Sequence, residues 1–259
     1  MHKVRYKVLI LLAVLFVVYF LSISYGKFAH QVLYGADIAV AHSMISVQSV
    51  SLAKIMLAFT YLGNWQVIVS IEALLLVILF FAHRKSVALL TLVTLVGGEL
   101  LSWICKIYSQ RARPEYWNYL SVTGRDSFPS GHALVAVAFY GLCAYILCRY
   151  LEKKWQKRLA VVVATVIALL VGVSRIYLGV HWFSDVIGGW ILGGIILISL
   201  ISIFQHMHVS RENAAVHTGH ELNLFIILVL VLCEGFFLYY FYTANPLVEP
   251  QRLQDSFRV

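Results

Sequence analysis

The chain has 259 residues, 61% of them hydrophobic and 12% charged, with a mean hydropathy of +0.84. That composition excludes an ordinary soluble domain and calls for a polytopic membrane protein. The formal net charge of +8 implies no nucleic-acid partner, because most of the basic residues fall in short loops between apolar spans, where membrane topology accounts for them.

In chain order, Met1 to Lys7 is basic and the apolar run from Val8 to about Tyr25 is long enough to cross a bilayer. No Ala-x-Ala-like site follows it, so residues 1–26 read as a retained first transmembrane helix rather than a signal peptide. Residues 27–63 carry Asp37, His42, Ser43 and Ser46. These interrupt any continuous span and point to amphipathic helices lying in the outer interface.

Further spans are expected at about Trp65–Ala82, Val87–Ile107, His132–Tyr150, Leu159–Tyr177 and Ser184–Phe204. A polar loop, Tyr108 to Phe128, follows the third span, and the basic run Glu152 to Arg158 follows the fourth. Residues 64–206 thus form a core, 207–221 a cytoplasmic linker, and 222–259 a seventh span with a short outer tail. Nothing in its sequence assigns the seventh span more than packing or dimer contact. The four cysteines, Cys105, Cys143, Cys148 and Cys233, lie in or at the ends of spans without a Cys-x-x-Cys pair, and read as small apolar residues.

Counting basic residues orients the bundle. The N-terminus and the loops after spans two, four and six hold Lys3, Arg5, Lys7, Arg84, Lys85, Arg149, Lys153, Lys154, Lys157, Arg158 and Arg211. That side is expected in the cytoplasm, which places the polar loops after spans one, three and five on the outer face.

Three blocks converge on that outer face: Lys106-(six residues)-Arg113-Pro114, Pro129-Ser130-Gly131-His132, and Ser174-Arg175-(five residues)-His181-(three residues)-Asp185. Taken singly they are ordinary. Cations at span ends snorkel, Ser130 is a standard helix N-cap, and a lone interfacial histidine is usually structural. Together, three cations, two histidines, a helix N-terminus and a carboxylate are the parts of a phosphate-ester site without a metal. Ionisable residues cost free energy at a membrane, so clustering them is a functional signal. Four positions on from His181, Asp185 can take its Nδ1 proton and leave Nε2 free as base or nucleophile. The residues alone do not decide which histidine attacks, although the carboxylate partner favours His181.

These blocks resemble the tripartite signature of the type 2 phosphatidic acid phosphatase superfamily, K-x6-R-P, P-S-G-H and S-R-x5-H-x3-D, matched at every defining position across roughly Trp65 to Phe204. The resemblance implies an all-α membrane bundle, a six-helix phosphatase core here followed by one extra C-terminal helix, with the site among helices three to six and no required metal or cofactor. It makes His181 the nucleophile forming a phosphohistidine, with Asp185 holding its tautomer. It makes His132 the acid and then the base, and Lys106, Arg113, Ser130, Gly131 and Arg175 the holders of the phosphate oxygens.

The expected activity is an integral-membrane lipid phosphatase acting on undecaprenyl diphosphate, phosphatidylglycerophosphate or phosphatidic acid at the outer face of a bacterial plasma membrane. The oligomeric state is not legible. Two rivals remain: a phosphotransferase passing the phosphate to a lipid or sugar hydroxyl, and a non-catalytic lipid-phosphate binding or transport protein. Binding alone would not need His132, His181 and Asp185. Arg111 and Arg125 can help to hold a diphosphate or be solvated. Glu99, two turns before Lys106, lines a head-group entrance or packs on a neighbouring helix's polar group. His206, His208, His217 and His220 are too irregularly spaced for a convincing metal site.

Overall fold

The computed structural model describes residues 2–25, 27–81, 83–114 and 126–206. They are helical, with no strand among them beyond an isolated bridge between Ala112 and Asp126. The helices are α1 (His2–Tyr25), α2 (Lys27–Ser46), α3 (Val50–Tyr61), α4 (Trp65–Phe81), α5 (Lys85–Ser109), α6 (Gly131–Tyr150), α7 (Lys154–Tyr177) and α8 (Phe183–His206). Within α6, Ala136–Tyr140 is wound as a π-helix. Among the described residues, five stretches are long and apolar enough to cross a membrane: Val50–Phe81, α5, α6, α7 and the Phe183–Ile203 part of α8. The protein is a multi-pass membrane protein. The seventh span expected at 222–242, Arg125, His208, His217 and His220 lie outside the described residues.

The segment 27–63 divides into α2 and α3, which pack on α7 and α8, and α1 also lies against α8. Only Leu62–Asn64 separates α3 from α4 in the apolar stretch Val50–Phe81. The charge of Asp37 reads in sequence as a water-facing interruption, yet Asp37 is 1% exposed and is buried against polar groups of the core. Ser49 caps α3 by accepting from the Leu52 N–H at 3.2 Å, and its own N–H donates to the Tyr177 hydroxyl at 2.9 Å. The α2–α3 turn is thereby tied to the end of α7.

Helices α6 and α8 approach most closely through small residues. A Cβ at Gly189 would come 2.5 Å from the Ser130 carbonyl oxygen, and one at Gly193 would come 2.5 Å from that of Leu134. Only glycine permits backbone contact at this distance, which sets the start of α6 beside the start of α8. Behind it a core of Phe16, Val67, Ile68, Phe128, Leu134 and Phe139 fills the bundle.

Candidate active site

Each sequence block sits where a helix starts or ends. Helix α5 stops because Gln110 turns into the left-handed region, φ 44°, with its N–H returned to the Lys106 carbonyl at 3.0 Å. That places Lys106 in the last turn of α5 and sends Arg111 and Arg113 back across the bundle. The second block is held by a main-chain bond from the Ser130 N–H to the Asp185 carbonyl, 3.0 Å, which joins it to the third. Gly179, φ 71°, turns the chain between α7 and α8. Asp185 then occupies the first turn of α8, where Oδ2 accepts the Trp182 N–H at 2.9 Å.

All three blocks meet. Arg113 donates through Nη1 to the Val180 carbonyl at 2.7 Å and approaches Nε2 of His181 at 3.2 Å. Arginine has no acceptor to offer, so Nε2 is the acceptor and the imidazole proton lies on Nδ1. Nδ1 is 3.5 Å from Asp185 Oδ2 but makes no well-formed hydrogen bond; Oδ2 and the Ser127 backbone are the acceptors beside the ring. The expected Nδ1–Asp185 hydrogen bond is thus an ion-pair-range contact here, because Oδ2 is already committed to the Trp182 N–H and Oδ1 to Arg111.

Lys106 Nζ lies 3.8 Å, and Ser102 Oγ 3.5 Å, from the position of a Cβ on Gly131. His132 lies within electrostatic range of His181, Arg175, Lys106 and Arg113. Arg175 is 6% exposed and donates through Nη1 to Thr60 Oγ1 at 2.6 Å, while its Nε has no hydrogen-bond partner. Ser130 stands at the N-cap position of α6, yet its side chain makes no capping bond, and its buried hydroxyl is without a partner. The simple N-cap reading therefore does not account for Ser130. Buried donors normally find acceptors. Those of Ser130, Ser102 and Arg175, set among three cations, make an environment for an anion.

Burial pulls the pKa of His181 well below the ordinary 6.5 of histidine, and Arg175, Arg113 and Lys106 pull it further in the same direction. Burial also lowers that of Arg113, with Asp185 and Asp126 opposing. Arg111 is the reverse case. Burial works against its charge, but Asp185 and Asp37 outweigh burial and hold it above the usual arginine range.

Arg111, which the sequence leaves between solvent and a diphosphate, turns inward. It donates to Asp185 Oδ1 at 2.5 Å, to Asp37 Oδ2 at 2.6 Å and to Ser184 Oγ at 2.6 Å. Asp37, Ser102 and Thr60 are side chains that sequence reading did not assign to the site. Ser102 carries a usable signal, one turn before Lys106 on the same face of α5. A carboxylate in an apolar stretch was the signal at Asp37, and nothing marked Thr60. Glu99 is exposed on α5.

Helices crossing a membrane, with cations, histidines and a carboxylate gathered at their ends, make a membrane protein with a site suited to an anion. The chain belongs to the PAP2 superfamily, whose pattern matches residues 86–208. It is 32% identical over 171 residues to phosphatidylglycerophosphatase B of Bacillus subtilis, covering 66% of this chain and 83% of that one. It is 30% identical over 163 residues to an undecaprenyl-diphosphatase of Sulfolobus acidocaldarius, covering 60% of this chain and 71% of that one. Its fold is similar to the crystal structure of a transmembrane PAP2-type phosphatidylglycerolphosphate phosphatase from Bacillus subtilis, with a TM-score of 0.67 and 28% identity, covering 78% of this chain and 98% of that one. These relatives are lipid phosphatases of the PAP2 type, and this chain is a membrane phosphatase of the same family.

Proposed function

We propose that the protein removes phosphate from a lipid monoester or diphosphate through a phosphohistidine on His181. The observation that carries this reading is the Arg113 contact to Nε2 of His181, which keeps that nitrogen unprotonated among cations suited to a phosphate. Nε2 attacks phosphorus, a P–N bond forms, and the P–O bond to the lipid breaks as His132 gives its proton to the leaving oxygen. Water then attacks the phosphohistidine, His132 takes a water proton, the P–N bond breaks, and inorganic phosphate leaves. Asp185, 3.5 Å from Nδ1, offsets the positive charge that the ring acquires. Lys106, Arg113, Arg175, Ser130 and the Gly131 N–H hold the non-bridging oxygens, on which charge spreads in the transition state.

The substrate is amphiphilic, because a site at helix ends takes a head group while acyl or prenyl chains stay in the bilayer. The relatives' names support undecaprenyl diphosphate and phosphatidylglycerophosphate as the first candidates, with phosphatidic acid third. The distribution of Lys and Arg supports a cytoplasmic N-terminus and a site on the outer face.

The test is phosphate release from these three lipids by detergent-purified protein in EDTA, wild type against His181→Ala. Release that persists in EDTA and vanishes in the variant is the expected result. Release from none of the three, by folded protein, overturns the hydrolase reading; release only when an alcohol acceptor is added converts it to a transferase.

A further inference from the structure

We infer that Asp37 is a positioning residue for the phosphatase reaction, acting through Arg111 on the Asp185 carboxylate that faces His181. Asp37 lies on α2, outside the residues 86–208 that match the family. The inference rests on the proposed role of His181.

The geometry is a buried fork. Arg111 Nη1 donates to Asp185 Oδ1 and Nη2 to Asp37 Oδ2, so a single guanidinium bridges two carboxylates whose side chains are fully buried. Asp37 is locked from its other side as well. Its Oδ1 accepts the Ser184 N–H at 2.8 Å and its Oδ2 accepts the Ser184 hydroxyl at 2.6 Å. Ser184 immediately precedes Asp185, and its carbonyl accepts the Tyr19 hydroxyl at 2.8 Å. Helices α1 and α2 thus both grip the first turn of α8, where the carboxylate beside His181 is mounted.

Charge counting gives this arrangement a chemical purpose beyond holding the fold. Arg111 paired with Asp185 alone would be neutral, and the guanidinium would draw the carboxylate's charge away from the imidazole. The second carboxylate makes the trio net −1. Arg111 holds the buried Asp185 carboxylate in place, and the second carboxylate leaves negative charge to face the ring as it becomes cationic on attack. A buried charge left without its partner is strongly unfavourable, which fixes the fork in one arrangement. Asp37 touches neither substrate nor reacting atom. Its effect falls on the step that generates the phosphohistidine and not on binding of phosphate, which Lys106, Arg113 and Arg175 carry.

The experiment compares wild type, Asp37→Asn and Arg111→Lys in detergent, measuring kcat and KM on the most active lipid and the inhibition constant of inorganic phosphate. Melting temperature serves as the fold check. Asp37→Asn is expected to lower kcat by roughly 10- to 100-fold, taking as scale the cost of losing an outer-shell partner of a metal-ligating residue, with KM and phosphate inhibition changed less than about twofold. Asp37→Glu, which restores the charge, should recover part of kcat. A wild-type kcat in folded Asp37→Asn, or parallel losses of kcat and phosphate affinity, overturns the inference. If Asp37→Asn does not fold, Arg111→Lys decides, because the same split is expected there and an unchanged kcat overturns the inference equally. Inactive wild type would instead overturn the proposed reaction, so the two failures are distinguishable.

Discussion

Arg113 points a guanidinium N–H at Nε2 of His181 across 3.2 Å, so the unprotonated nitrogen is the one turned toward the cations and away from Asp185. The same arginine is anchored on the Val180 carbonyl one residue earlier. It therefore sets both the tautomer of the ring and the position of a charge beside it.

Replacing Arg113 with lysine keeps a cation but loses the planar fork that reaches Val180 and His181 together. Arg113→Lys is expected to reduce kcat/KM by about 100-fold, in the range for losing one donor to transition-state charge. Steady-state kinetics on the best lipid substrate check it, and a loss of less than threefold would make Arg113 a structural residue.

The pH dependence follows from burial and three cations acting on His181. Its pKa lies well below 6.5, so the ring stays neutral and nucleophilic as the pH falls through that value. A group with a lowered pKa loses its reactive form only at lower pH, so the acid limb of kcat/KM assigned to His181 belongs below 6.5. The groups facing the ring are Asp185, Arg113, Arg175, Lys106 and His132. A pH profile with Arg175→Ala and Lys106→Ala should move that limb upward, since each variant removes a cation. A limb that stays put would refute this origin of the shift.

Ser130 separates stability from chemistry. An N-cap serine that bonds the helix start contributes about 1 kcal/mol, but the Ser130 hydroxyl makes no such bond. Ser130→Ala is expected to leave the melting temperature within about 1 °C, because the cap contribution is absent, while lowering kcat/KM roughly 10- to 100-fold. Differential scanning fluorimetry and turnover measured on one preparation check both halves.

Gly193 tests the helix contact beneath the site. A methyl there would meet the Leu134 carbonyl at 2.5 Å and Val137 Cβ at 3.0 Å, so α6 and α8 must separate. Gly193→Ala is expected to cost about 1–3 kcal/mol, as overpacking does, read as a lower detergent melting temperature with activity falling in step. A larger residue should be worse than alanine.

Much of the fold was legible because a membrane allows few solutions. Apolar runs bounded by Arg84 and Lys85, or by Lys153 and Lys154, mark the same helices that the structure forms. Lys106, Arg113, Ser130, Arg175, His181 and Asp185 were legible because charge is expensive there and fixed spacings gathered it. Asp37 was not, since its partner Arg111 is 74 residues away. In sequence a buried salt bridge and a solvated charge look alike. Thr60, 115 residues from Arg175, carries no pattern at all, since threonine is unremarkable in a membrane helix. The long Nδ1 contact was equally hidden: helical spacing brings His181 and Asp185 near, but the competing donors Trp182 and Arg111 decide where the carboxylate points.

The bond from the Ser130 N–H to the Asp185 carbonyl uses main-chain atoms only. The distance between the helix start that carries His132 and the helix start that carries Asp185 is therefore written in backbone and not in side chains. Such a frame is well suited to retooling: combinatorial substitution at Ser102, Lys106, Ser130 and Arg175 changes the side chains around the site while the two helix starts keep their register. Libraries aimed at other tetrahedral oxyanions can begin from those four positions with Gly189 and Gly193 held constant.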